Sequence, residues 1–183
     1  ALSWKTHVPL LENEKFLRCE KKIRKGKATG EKGEDKKQKK QVVLMIAKNF
    51  LAYHKRAGQA TDFEIKIKEK VKNHTIRPNY EKWKEKIEEV KSGKAELVLK
   101  QWEGRPYHST PNKLSIFDAK DDVEVSKLTK TADGFFVNDT KKVEPEDLAK
   151  NDGLSLQDFE DWFKVFPTEP MAILHFNSFR YEN

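Results

Sequence analysis

The chain is nearly without cysteine. Cys19 is the single one in 183 residues, which excludes an intramolecular disulfide and a cysteine-based zinc cluster and suits a reducing compartment. Long apolar runs are also missing. Nothing approaches the roughly 18–20 residues that a membrane span needs, and no apolar h-region marks a secretory signal. A cytoplasmic protein is therefore expected. Asn73-His74-Thr75 and Asn138-Asp139-Thr140 match the glycosylation acceptor pattern, but without such a signal both read as chance. No internal repeat is found.

Most of the chain also lacks a net charge. The formal charge is +7, but residues 1–41 hold 13 Lys and Arg against 6 Asp and Glu, and the remaining 24 and 24 cancel. The basic character belongs to the N-terminal segment, so a general charge argument for nucleic acid fails for the body. In residues 20–41 the apolar residues are Ile23 and Ala28. That composition cannot offset its ordering entropy. Residues 1–41 are expected to be a disordered, solvated tail; the functional alternative is a basic arm that contacts phosphates. Met45, where globular patterning begins, is a plausible native start.

Globular patterning is present from Val42 onward, so the domain is placed at 42–183. VVLMIAKNF reads as a buried strand. Thr61 and Glu64 have capping-box spacing, which predicts a helix to about Lys70 with Phe63, Ile67 and Val71 facing inward. Pro78 disfavours helical geometry at Arg77 and suits the first turn of a second helix. In that helix Tyr80, Trp83, Ile87 and Val90 form a stripe, and Ser92-Gly93 ends it. Ala95, Leu97 and Leu99 alternate in a half-buried strand closed by Trp102. LSIF, VEVSKL and GFFV read as short strands, with Asp133-Gly134 as a turn. Ser155 with Asp158 predicts a second cap, ahead of a helix burying Leu156, Phe159 and Phe163. MAILHF, 171–176, is the last strand. The expected order is β-α-α-β-β-β-β-α-β. This is an α+β domain around a small, partly closed barrel.

The stretch VKNHTIRPNYEKW places Thr75 between Lys72 and Arg77, at a junction between two helices. A threonine hydroxyl is a nucleophile only if a base takes its proton. A lysine serves as that base only if burial or a nearby cation lowers its pKa, and Arg77 is a candidate cation. A carboxylate such as Asp152 can orient the ammonium. The same string also fits a loop with solvated cations, so spacing alone does not choose. His74 reads as a loop histidine and His175 as a strand-face histidine, and neither makes a metal site.

Lys72-Asn73-His74-Thr75-Ile76-Arg77, the AKNDGLS segment at 149–155 and the closing MAILHF strand resemble the ASCH domain family. The likeness covers about residues 42–181, in the same order. It implies a PUA-like β-barrel with about three flanking helices and an association with RNA. One branch of that family comprises small bacterial amidohydrolases that deacetylate 4-acetylcytidine with a Lys/Thr/Glu triad. Its lysine and threonine lie three apart in a K-T-I-T-I-R string, matching Lys72 and Thr75. Its glutamate lies in an A-x-x-E segment, where this chain has Ala149-Lys150-Asn151-Asp152. Aspartate is one methylene shorter, and the helix after Pro78 and the stretch 103–147 exceed that compact branch.

The resemblance implies a metal-independent amidohydrolase without a cofactor, acting as a monomer on RNA or a modified nucleoside. Lys72 would be the base for Thr75, Thr75 the nucleophile and Asp152 the residue holding Lys72. Arg77 or loop N–H groups would stabilise the oxyanion. Trp102, Arg105 and Tyr107 are candidates for stacking on a base; aromatics at strand ends also serve as rim packing. Two non-enzymatic readings stand beside this one. The first is a PUA-like RNA-binding module without turnover, and the second is a protein-interaction surface on residues 157–166. The state of Lys72 separates enzyme from RNA binder: an enzyme needs it buried with a depressed pKa, a binder needs it exposed toward phosphate.

Overall fold

The computed structural model describes residues 39–181. The tail expected over residues 1–41 therefore lies almost wholly outside the described residues, and Lys40 and Gln41 already belong to a strand. Four helices and eight strands follow one another as β1 (Lys40–Met45), α1 (Phe63–Lys68), β2 (His74–Pro78), α2 (Tyr80–Lys91), β3 (Ala95–Trp102), β4 (Pro111–Phe117), β5 (Glu124–Thr131), β6 (Gly134–Val137), β7 (Lys141–Val143), α3 (Pro145–Asn151), α4 (Leu156–Trp162) and β8 (Met171–His175). The α+β class is as expected.

The strands form two sheets. One has the order β1-β3-β4, the other β2-β8-β5-β6-β7. Strands β1 and β3 pair in parallel, Lys40 opposite Ala95 through Met45 opposite Lys100. A parallel pair needs a crossover, and here it is long enough to hold α1, β2 and α2. The second sheet is antiparallel throughout, with β8 between β2 and β5. Among the described residues the hydrogen-bonded order leaves β1 and β4 as the edges of one sheet and β2 and β7 as the edges of the other. A closed barrel is therefore not formed by strand pairing.

The core explains the register. Val42, Leu44 and Ile46 alternate inward from β1, and Leu97, Val98 and Leu99 are buried on both faces of β3. All five residues of β8 are buried, the mark of a central strand covered on both sides. Ile87 and Val90 of α2 join this core, with Tyr80 and Trp83 packed against it. At about 25 cal/mol per Å² of apolar area removed from water, such clusters supply most of the folding drive.

Several local expectations are corrected. Thr61 does not cap α1. Its hydroxyl donates to Ala47 O and Lys48 O at 2.8 and 3.1 Å, closing the loop after β1, and Asp62 in left-handed geometry is the helix cap. Val71 is not inward but 49% exposed. Lys70 has φ +58°, and this left-handed residue ends the helix early and turns Val71 out and Lys72 in. Pro78 is the last residue of β2, and the side chain of Asn79 caps α2 by accepting from Lys82 N at 3.1 Å. The segment around Thr75 is a strand, not a junction between helices, and β7 and α3 were also not foreseen. Ser155 does cap α4, accepting from Asp158 N at 3.1 Å. In α4 Phe159 is buried, whereas Leu156 and Phe163 are only half-buried.

Candidate active site

Three segments bring Lys72, Thr75 and Asp152 together. Lys72 enters from the turn after α1, where its amide donates to Lys66 O at 2.9 Å. Thr75 sits in β2, opposite Leu174 of β8. Asp152 is the C-cap of α3. That end is a Schellman motif: Leu154 N donates to Ala149 O at 2.9 Å and Gly153 N to Lys150 O at 3.1 Å, with Gly153 at φ +72°. Asn73 fastens the strand to the helix end. Its amide donates to Asn151 O and its side chain to Asn151 Oδ1, both at 2.8 Å.

The Lys72 ammonium is 1% exposed and Asp152 4%. Both hydrogen bonds of Nζ go to Asp152, one to the main-chain carbonyl at 2.6 Å and one to carboxylate Oδ1. Nζ also lies 4.1 Å from the Phe63 ring centroid, a cation–π contact. Burial holds the Lys72 pKa down to about 8 although Asp152 pushes it up, and the cations Arg77 and Lys66 lower it further. Burial likewise raises the Asp152 pKa, against the opposing pull of Lys72, Arg77 and a hydrogen bond from Thr75. The aspartate thus bonds Lys72 despite its shorter side chain and shares a cleft with Thr75, and Lys72 makes no bond to Thr75.

Asp152 and Thr75 open on a cleft of about 10 Å³, room for about one water-sized group. Its other walls are Ile46, Ala47, Phe63, Ile76, Arg77, Trp162 and Phe163. Arg77 is fixed in place: Nη2 donates to Met45 O at 2.5 Å. Burial lowers its pKa, but guanidinium basicity is high enough that it stays cationic. Phe63 and Phe163 are readable only as members of apolar helix stripes and Trp162 carries no signal in the sequence, so their meeting at Thr75 is tertiary.

Trp102, Arg105 and Tyr107 lie elsewhere. Trp102 ends β3 opposite Pro111, its ring 5.5 Å from that of Tyr107, and Arg105 is exposed in the same loop. None of the three lines the cleft. In residues 157–166 Gln157, Glu160, Lys164 and Val165 are exposed, while two acids are turned inward. Asp158 and Asp161 are buried and paired with Arg56 at 2.7 Å and Lys55 at 3.3 Å, which fastens the loop after β1 to α4.

His74 is not a loop residue but lies fully buried in β2, opposite His175 of β8. Among the described residues no group of three or more His, Cys, Asp or Glu is arranged to hold a metal ion, and no helix is long and apolar enough to cross a membrane. Comparisons with family models, curated proteins and solved structures give no match to this chain.

Proposed function

We propose that residues 42–183 form an ASCH-type, PUA-like domain that hydrolyses an amide on a modified nucleoside, with 4-acetylcytidine, free or in RNA, as the representative substrate. The observation that carries the proposal is a buried Lys72–Asp152 ion pair that meets a threonine hydroxyl at the floor of an aromatic-walled cleft. Buried, strongly perturbed ionisable groups in a cleft are the usual mark of catalytic chemistry. The cleft holds about one water-sized group and Phe63 and Trp162 pack on each other 5.9 Å apart, so the reading requires these rings to part when an acyl group enters, with the base stacked outside them.

The geometry favours a division of labour different from a lysine base. Asp152 accepts the Thr75 proton as the hydroxyl attacks the amide carbonyl. The tetrahedral oxyanion is met by Arg77, already immobilised on Met45 O. The protonated Asp152 then delivers the proton to the leaving amine, and water hydrolyses the acyl-threonine with Asp152 again as the base. Lys72 holds the carboxylate in position and stabilises its charged form. The half-buried Trp102 and exposed Tyr107, with Arg105 in the same loop, would hold flanking nucleotides. The protein would work in the cytoplasm as a monomer.

A non-catalytic RNA reader is the competing interpretation. Lys72 speaks against it, since an ammonium 1% exposed and bonded to Asp152 has no reach toward a phosphate. The decisive experiment is turnover of 4-acetylcytidine by the purified protein, beside Thr75→Ala. The proposal expects cytidine and acetate from the parent protein and at least a ~100-fold loss in the variant. Turnover that survives Thr75→Ala would remove Thr75 as nucleophile. No turnover, together with RNA binding unaffected by Lys72→Ala, would establish the binding module instead.

A further inference from the structure

His74 lies next to Thr75 in β2, and its side chain is on the opposite face of the strand. It is fully buried, packed by His175, Phe179 and Tyr181 with ring centroids 5.8, 6.4 and 5.7 Å away. Its Nε2 is 2.8 Å from the Tyr181 hydroxyl. Its Nδ1 has no hydrogen-bond partner, and 3.9 Å away stands Oδ1 of Asp152. An unpartnered buried polar atom is costly, so one this close to a buried carboxylate calls for an explanation.

The imidazole is neutral. Burial, His175 and Lys72 all hold its pKa well below the ordinary value, so it carries one N–H. Two tautomers are then open. With the proton on Nε2, the Tyr181 hydroxyl must turn to Asp147 O at 3.3 Å, and the bare Nδ1 lone pair faces a carboxylate. With the proton on Nδ1, Tyr181 donates along the shorter 2.8 Å contact, and an N–H dipole faces Asp152. The 2.8 Å contact is a hydrogen bond in either arrangement; what separates them is that the second leaves no lone pair facing the Asp152 carboxylate and turns an N–H dipole toward it instead. Tyr181 is suited to the donor role, because burial raises its pKa and keeps it protonated.

We infer that His74 is a positioning residue for Asp152: Tyr181 donates to Nε2, and Nδ1–H is directed at Oδ1, fixing the carboxylate from the side away from Thr75. Lys72 reaches the same oxygen, so Oδ2 is left to face Thr75 and the cleft. The charged or titratable groups around Asp152 are then Lys72, Arg77, His74 and Tyr181. His74 itself meets Lys72, His175, Tyr181 and Asp152. Only the effect on turnover rests on the amidohydrolase reading; the tautomer and the contact do not.

Histidine-selective nitrogen NMR of the whole protein at neutral pH tests the tautomer directly, and His74 is expected to be protonated on Nδ1. Two substitutions separate its two contacts. His74→Asn keeps a donor near the Nδ1 position, whereas His74→Gln keeps one near Nε2. Carbon NMR of the Asp152 carboxyl should show its midpoint moved upward in His74→Gln and little changed in His74→Asn. On the amidohydrolase reading, kcat of His74→Gln falls about tenfold with KM retained, and the acid limb of its pH profile moves with the carboxyl midpoint. Tyr181→Phe, which leaves the ring contacts in place, should release the tautomer and shift the carboxyl in the same direction. An Nε2–H tautomer in the parent protein, or a carboxyl midpoint identical in parent and Tyr181→Phe, overturns the inference. If parent and variants all lack turnover while the spectra behave as expected, only the enzymatic reading fails.

Discussion

Lys72 donates to Asp152 twice, to its main-chain carbonyl at 2.6 Å and to its carboxylate. One ammonium therefore ties the end of α3 to the start of β2 and also sets the charge state of the site. Continuum reasoning says that such buried pairs seldom add net stability, because desolvation offsets the attraction. Their persistence here fits a functional arrangement better than a structural one.

Breaking the pair should be far more costly than removing it. Asp152→Ala, which leaves Lys72 buried without its carboxylate, is expected to destabilise the fold by about 3–5 kcal/mol in urea unfolding. The double variant Lys72→Met with Asp152→Leu should recover most of that loss. A double variant that stays as unstable as Asp152→Ala would mean that the pair contributes net stability, and strictly additive losses would mean that the two side chains are not coupled.

Stability should rise with pH on the alkaline side. Lys72 holds its proton up to about pH 8 in the folded protein, and its ordinary value is 10.5. Between those values the unfolded chain binds more protons, so the unfolding free energy increases with pH. The cost of the buried ammonium is fully present below about pH 8 and is relieved as pH climbs toward 10.5. Unfolding curves of the parent protein against Lys72→Met across that window should show the difference, and parallel curves would contradict it.

Activity should move the other way. With Lys72 as the cation that holds the Asp152 carboxylate, kcat/KM falls as pH rises through about 8. With Lys72 as a free-amine base, it would rise through the same value. The sign of the alkaline limb thus decides which group takes the threonine proton.

Gly153 is the position where the backbone must come close to Lys72. Its φ is +72°, and a Cβ placed there would stand 3.0 Å from Lys72 Cβ. Gly153→Ala should cost about 1–2 kcal/mol from the left-handed geometry alone. The displaced lysine should lower turnover further, at temperatures where the variant is fully folded. A variant with unchanged kcat would show that Lys72 tolerates the shift.

Much of the secondary structure was legible because local rules agree with the tertiary result there. The stripe Tyr80, Trp83, Ile87 and Val90 marked α2 to its end at Ser92-Gly93, and Ser155 marked the start of α4. Elsewhere tertiary demands overrode the local signal. Thr61 has capping spacing, but the helix starts one residue later, behind Asp62, and the Thr61 hydroxyl closes the loop after β1. HTIRP is too short and mixed to show a strand period, and becomes β2 because β8 supplies a hydrogen-bonding edge.

The candidate site divides in the same way. The sequence alone determined the residue types: a lysine, a threonine and an arginine at fixed spacing, and an aspartate about eighty residues later, just before a glycine. The helix α3 that this aspartate ends is not read from the sequence, although the glycine after it suits a left-handed C′ position. Only the tertiary structure decided that the carboxylate takes the ammonium and shares a cleft with the hydroxyl, that Lys72 is out of water, and that His74 stands beside them. Burial, orientation and the order of three groups across a contact depend on which segments meet, and periodicity along one segment carries no record of that.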